Sequence, residues 1–168
     1  MAPQPDYRKF DLNRNSIESL RKTAKKPGEL QLAIDCETLS LRPNAVVVSI
    51  GWCLFEFDGT INAAGVIYPS MDEQLALGRD VDISTVQWWM KQEDAARDAL
   101  LVEGRVSVRD AMTELAKLTE LVEGVWGYGA DSDNVWPDRV GVAHRAQDDA
   151  TSQAHGFIAA SKMVRGEA

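Results

Sequence analysis

Cysteine and histidine are scarce in this 168-residue chain, with two of each. The cysteines, Cys36 and Cys53, form no Cys-x-x-Cys pair, so a disulfide framework is excluded as the basis of stability. A zinc site would need both cysteines together with His144 and His155, at spacings that suit no zinc motif, and buried thiols are the expectation instead. No Gly-x-Ser-x-Gly elbow is present, which removes the serine hydrolases of that type. Long apolar runs are also missing. Nothing approaches the roughly 18 apolar residues of a membrane span, and the polar start from Met1 to Lys9 has no signal-peptide core. The expected location is cytoplasmic, with no membrane partner. Positive charge is in deficit too, with 18 Lys and Arg against 26 Asp and Glu.

What remains is globular: 45% hydrophobic and 26% charged residues suit one domain with a real core. The charge is unevenly spread. Residues 1–28 carry a net +4 and the remainder −12, so the chain divides into a basic, flexible N-terminal arm, 1–28, and an acidic domain, 29–168. An acidic body repels nucleic acid at long range unless bound metal reverses the sign of its cleft.

Pro27-Gly28 separates the arm from an apolar strand at about 30–36. Residues 45–57 are rich in β-formers, and Asp58-Gly59 turns that strand into a third at about 60–68, giving an antiparallel meander. Helices are expected next. One is capped by Ser84 and contains Trp88 and Trp89, with 95–102 continuing or restarting it; another, about 108–121, opens at Ser107. A short strand from Glu123 ends in glycines at Gly127 and Gly129, and an Ala-rich helix covers about 145–163. Three antiparallel strands followed by helix, strand and helix describe an α/β, ribonuclease-H-like mixed sheet with the first strand central. Ligands of such open sheets gather at the carboxyl ends of the strands.

At that end of the first strand stand Asp35 and Glu37. Alternate residues of a strand share a face, so the two carboxylates project together while Cys36 points the other way. Like charges that close resist joint ionisation unless a cation lies between them, and a hard divalent ion such as Mg²⁺ suits oxygen ligands. Trp88 and Trp89, about 100° apart around a helix, cannot both face the core in the same way. One is available to stack on a base, and Gln92, a turn further on, could reach a base edge or a sugar.

Five motifs occur in a telling order: Ile34-Asp35-Cys36-Glu37-Thr38-Leu39, then Val48-Ser49-Ile50-Gly51, then Ser84-Thr85-x-x-Trp88-Trp89-x-x-Gln92. Val125-Trp126-Gly127-x-Gly129-Ala130-x-x-Asp133-Asn134 and His144-Arg145-Ala146-Gln147-Asp148-Asp149-Ala150 complete the set. Over about residues 30–155 the chain resembles the DEDDh 3′→5′ exonucleases, in the branch that includes phage T4 exonuclease A and the bacterial exoribonuclease RNase AS. The resemblance implies a metal-dependent exonuclease that removes nucleoside 5′-monophosphates from the 3′ end of single-stranded or overhanging nucleic acid, with RNA slightly preferred over DNA. It implies two ions, Mg²⁺ or Mn²⁺, held by Asp35, Glu37, Asp133 and Asp149, with His144 as general base. Thr38, Leu39, Trp88, Trp89, Gln92 and Asn134 would meet the substrate. Such chemistry requires an activated water and stabilised charge on the phosphoryl and leaving oxygens, which two metals and a base near neutral pKa can supply.

The spacing departs from the family between its second and third motifs, where a helix and a strand are normally found. Here ten residues separate Asp133 from His144, and Pro137 discourages a helix among them. A second reading follows: a shortened, non-catalytic exonuclease-like domain that binds nucleic acid or protein. A Rossmann-type nucleotide site at Gly127-Tyr128-Gly129 fails because Ser132 occupies the third glycine position. The sequence leaves oligomeric state open, homo-oligomers included.

Overall fold

Alternation of apolar side chains with small or acidic ones gives the first strand two usable faces, and the fold covers both. The computed structural model describes residues 30–127, together with 146, 147, 149–151, 154, 155 and 158. Strands β1 (Leu30–Thr38), β2 (Val47–Glu56), β3 (Ile61–Ile67) and β4 (Gly124–Gly127) form one mixed sheet in the order β3-β2-β1-β4. β1 is antiparallel to β2 and parallel to β4, and β2 is antiparallel to β3. The first strand is central, as the sequence predicts, and the architecture is α/β and compatible with a ribonuclease-H-like fold. Between β2 and β3, Gly59 at φ 107° permits the hairpin, and Asp58 accepts a 2.8 Å bond from the Thr60 amide.

One face of the sheet carries Leu30, Leu32, Ile50, Trp52 and Leu54, which pack with Ala111 and Leu118 of a helix at Val108–Thr119. Each fully buried Leu or Phe contributes about 1.5–3 kcal/mol relative to exposure. The opposite face carries Ala33, Cys53 and Phe55, packed against Ala150, Ala154 and Ile158 of the final helix. Its buried residues Ala146, Ala150 and Ala154 recur every four positions, so a stripe of small side chains lies on the sheet. Closest approach is at Gly51. A Cβ built there would lie 1.8 Å from the Ala146 carbonyl oxygen and 2.4 Å from the Gln147 backbone nitrogen. From Ala146, over Gly51, the described part of the helix runs back along the sheet toward the start of β1.

Several expected boundaries move. β1 continues two residues further, to Thr38, because β2 still pairs with it up to a register shift between Glu37 and Thr38. The short helix α1 (Met71–Ala76) was not expected. Its one buried residue, Gln74, is polar and clasps the edge of β2, accepting from Val47 N at 2.8 Å and donating to Val47 O at 2.9 Å. No apolar periodicity marks such a helix. In α2 (Ile83–Trp89) the cap is Asp82 rather than Ser84; its carboxylate accepts from the Ser84 amide at 2.7 Å and the Ser84 hydroxyl at 2.6 Å, and these bonds lower its pKa. The chain then restarts as α3 (Asp94–Arg97) and a 3₁₀ turn (Asp98–Leu101), one residue earlier than read from sequence. The helix opened by Ser107, here α4, is Val108–Thr119, with the Ser107 hydroxyl accepting from Asp110 N.

The cysteines divide. Cys53 is buried, and burial pushes its thiol up to about 12 against a lowering hydrogen bond from Thr151. Cys36 is exposed, which corrects the expectation of two buried thiols; it lies on the part of β1 beyond its pairing with β4, which reaches Ile34. No helix among the described residues is long and apolar enough to cross a membrane. The basic arm, 1–28, lies outside the described residues.

Gly51→Ala is expected to lift the start of the final helix, since the obstruction is backbone rather than a movable side-chain tip. Overpacking of this kind costs about 1–3 kcal/mol, or about 2–4 °C of Tm for each kcal/mol in a domain of this size. An unchanged melting curve would contradict the close approach.

Candidate active site

Antiparallel pairing sets the site. Asp35 lies opposite Gly51 and Glu37 opposite Ser49, so all four share the face covered by the final helix. With no side chain at Gly51, the final helix comes down onto the sheet at Ala146, and Asp149, one turn further on, reaches the two acids of β1. One carboxylate oxygen each from Asp35, Glu37 and Asp149 lies within 4.8 Å of the others. Asp149 is 9% exposed, and both β1 acids are half-buried. Three carboxylates at this separation repel strongly in a partly dry setting, and a divalent cation offsets that repulsion better than water does. All-oxygen donors, clustered but still open to solvent on the β1 side, suit a hard ion such as Mg²⁺ or Mn²⁺.

The turn after Glu37 is held as firmly as the strand. Leu39 N donates to Val46 O at 2.9 Å, Asp82 N donates to Leu39 O at 2.8 Å, and the Thr38 hydroxyl donates to Ser40 O at 2.8 Å. Ser40 is itself buried and donates to Asp80 at 2.5 Å. Helix α2 joins this brace through Trp89, whose indole N–H donates to the Thr38 carbonyl at 3.0 Å. The second acid of the pair thus sits on a backbone anchored from three sides.

The two tryptophans take different roles. Trp89 is 1% exposed and packs the helix against the turn, so it has no free ring face for a base. Trp88 is 40% exposed and meets Trp89 edge-on, with centroids 5.6 Å apart. Gln92 follows the end of α2 and donates to the Trp88 carbonyl at 3.1 Å. Thr38 and Leu39 are half-buried in the turn beside the carboxylates. Asp133, Asn134 and His144 lie outside the described residues; His155 is exposed on the final helix, away from the buried face.

Cys36 stands between the two acids in sequence. Surrounding protein, then the charges of Asp35 and Glu37, push its thiol up to about 11, so although exposed it stays protonated at neutral pH.

Residues 30–140 match the model of the Rv2179c-like 3′-5′ exoribonuclease domain. The chain belongs to that family. No curated protein and no solved structure matches it. The matched span contains Asp35 and Glu37 but ends before Asp149, so the meeting of the three acids is a separate observation. Two residues of this site, Gly51 and Ser49, carry no obvious chemistry in the sequence. A glycine inside a strand of β-formers was the available signal for Gly51, since it marks a close backbone approach.

Asp149→Asn should retain the fold, because the amide is nearly isosteric, and should weaken Mn²⁺ binding at least about tenfold by calorimetry. Wild type should melt higher in Mn²⁺ than in EDTA, as mass action requires of a native-state ligand. The variant should lose most of that difference, and an undiminished shift would remove Asp149 from the site.

Proposed function

We propose that this protein is a divalent-metal-dependent exonuclease of the DEDDh type, degrading single-stranded or overhanging RNA from its 3′ end and releasing nucleoside 5′-monophosphates. The observation that carries this reading is the convergence of Asp35, Glu37 and Asp149 in a domain of the 3′-5′ exoribonuclease family. Asp133 is the fourth carboxylate of the proposed set, and His144 is the general base. The likeness of its motifs to phage T4 exonuclease A and RNase AS, together with the family match, favours RNA over DNA.

Two ions held by these acids would supply activated water and charge stabilisation at the phosphoryl and leaving oxygens. The rest falls to the chain. His144, five positions before Asp149, takes a proton from the attacking water at an imidazole nitrogen. Thr38 and Leu39 line the approach to the reacting phosphate from the braced turn, and Asn134 is a further substrate-binding residue of the proposed set. Trp88 offers an exposed ring on which a terminal base stacks, worth about 1–3 kcal/mol and tolerant of sequence. Gln92 is the proposed contact to a base edge or a sugar, while Trp89 acts on the substrate only by fixing the turn.

The alternative of a non-catalytic binding module rested on the shortened link before His144. The position of Asp149 argues against a site dismantled by that shortening.

A 5′-labelled single-stranded RNA should shorten stepwise from its 3′ end in Mg²⁺ or Mn²⁺ and stay intact in EDTA, with 5′-monophosphates as products by chromatography. Asp35→Ala should lower kcat by at least about 10³-fold. The rate should rise with pH through about 6–7, because the base must be neutral to accept a proton. Equal degradation by Asp35→Ala, or internal cleavage products, would defeat the proposal.

A further inference from the structure

Behind the carboxylate cluster lies a cavity of about 200 Å³ with three walls. β2 contributes Ser49, the residue after β3 contributes Tyr68, the 3₁₀ turn contributes Asp98 and Ala99, and the final helix contributes Ala146 and Gln147. Arg105 frames it. Its guanidinium donates to Val48 O at 2.6 Å, to Pro69 O at 3.3 Å and to Ala99 O at 2.5 Å, and lies 5.7 Å from the centroid of the Tyr68 ring. One cation thereby ties together two of the walls, so the space is bounded by braced backbone.

Ser49 is the anomaly. It is 1% exposed, and its hydroxyl has no hydrogen-bond partner among the described residues. Leaving a buried polar group unmet costs about 1–3 kcal/mol. The neighbouring cavity removes that penalty only if it is wet. Its volume holds several waters, and the polar groups at Gln147, Asp98 and Tyr68 give such waters the two to four partners that an ordered buried water needs. Ser49 lies opposite Glu37 on β1, on the face that the final helix covers, and Gln147 is two residues before Asp149.

We propose that Ser49 is a positioning residue: water held in this cavity bridges its hydroxyl to Gln147 of the final helix and so fixes Asp149 against Asp35 and Glu37. Ser49 acts through the helix and touches neither substrate nor reacting atoms. The proposal rests on the metal-site reading above, and deepens it by naming what holds the last acid in place. Outer partners of metal-binding side chains typically change metal affinity or activity by about 10–100-fold when removed, which sets the scale expected here.

The test compares Ser49→Thr, Ser49→Val and Ser49→Ala in the full chain. Thr and Val have nearly the same shape, and only Thr keeps the hydroxyl. Mn²⁺ affinity, read by calorimetry, should be near wild type for Ser49→Thr and about tenfold weaker for Ser49→Val and Ser49→Ala. On single-stranded RNA the latter two should lose kcat by a similar factor with KM little changed. Melting in EDTA is the control, since a residue that only packs moves Tm without separating Thr from Val in Mn²⁺ affinity. Wild-type Mn²⁺ affinity in Ser49→Val and Ser49→Ala, or equal weakening in Ser49→Thr and Ser49→Val, overturns the role of Ser49. Wild-type protein that binds Mn²⁺ but leaves RNA intact defeats the exonuclease reading alone, and the affinity comparison still decides for Ser49. Wild-type protein that binds no Mn²⁺ overturns both.

Discussion

The absence of one side chain, at Gly51, governs the arrangement of this site. Asp35 and Glu37 are placed by their own strand and need only β1 to exist. Asp149 comes from the far end of the chain, and it can join them only if a helix backbone rests almost directly on the sheet. A Cβ at position 51 would fall within 1.8 Å of the Ala146 carbonyl oxygen. The stripe Ala146, Ala150 and Ala154 makes the same allowance from the helix side. Small residues on both partners replace the usual interdigitation of large side chains with a close contact of backbones, and the reach of an aspartate then suffices.

That close contact concentrates negative charge. Three carboxylate oxygens within 4.8 Å would be a poor design for stability alone. The fold supports them with an unusual density of backbone anchoring: the turn after Glu37 is tied to Val46, to Asp82 and to the indole of Trp89. Anchoring of this kind holds repelling groups together, which is the preorganisation that a metal site requires. The net charge of −8 belongs in the same account. An acidic surface discourages polyanions everywhere except where bound metal has reversed the local sign.

Much of this was legible in the residues. The four strands, their order around a central β1 and the pairing of Asp35 with Glu37 follow from period-two alternation and from Asp58-Gly59, all of them local signals. The Ser107 cap was legible for the same reason. Gln74 and Trp89 were not. Each works through a hydrogen bond to a carbonyl or amide distant in sequence, Val47 in one case and Thr38 in the other, and no periodicity records such a bond. Trp88 and Trp89 could be told to diverge, but only the placement of α2 against the turn decides which is buried. Asp82 displaced Ser84 as cap because both residues are competent caps, and two positions of drift lie within what sequence leaves open. Ser49 was visible within its motif, but its lack of a partner is a property of the assembled walls around it.

The short link before His144 looked like an obstacle to a complete site, and the sheet order shows why it need not be one. β2 and β4 flank β1, so Gly51 and the last residue of β4, Gly127, stand about two strand spacings apart, roughly 10 Å. Ala146 of the final helix lies over Gly51. Gly127 and Ala146 are 19 positions apart in sequence, and a chain of that length at about 3.4 Å per residue reaches several times that distance. What the return does require is a landing place where backbone can meet backbone, and Gly51 supplies it.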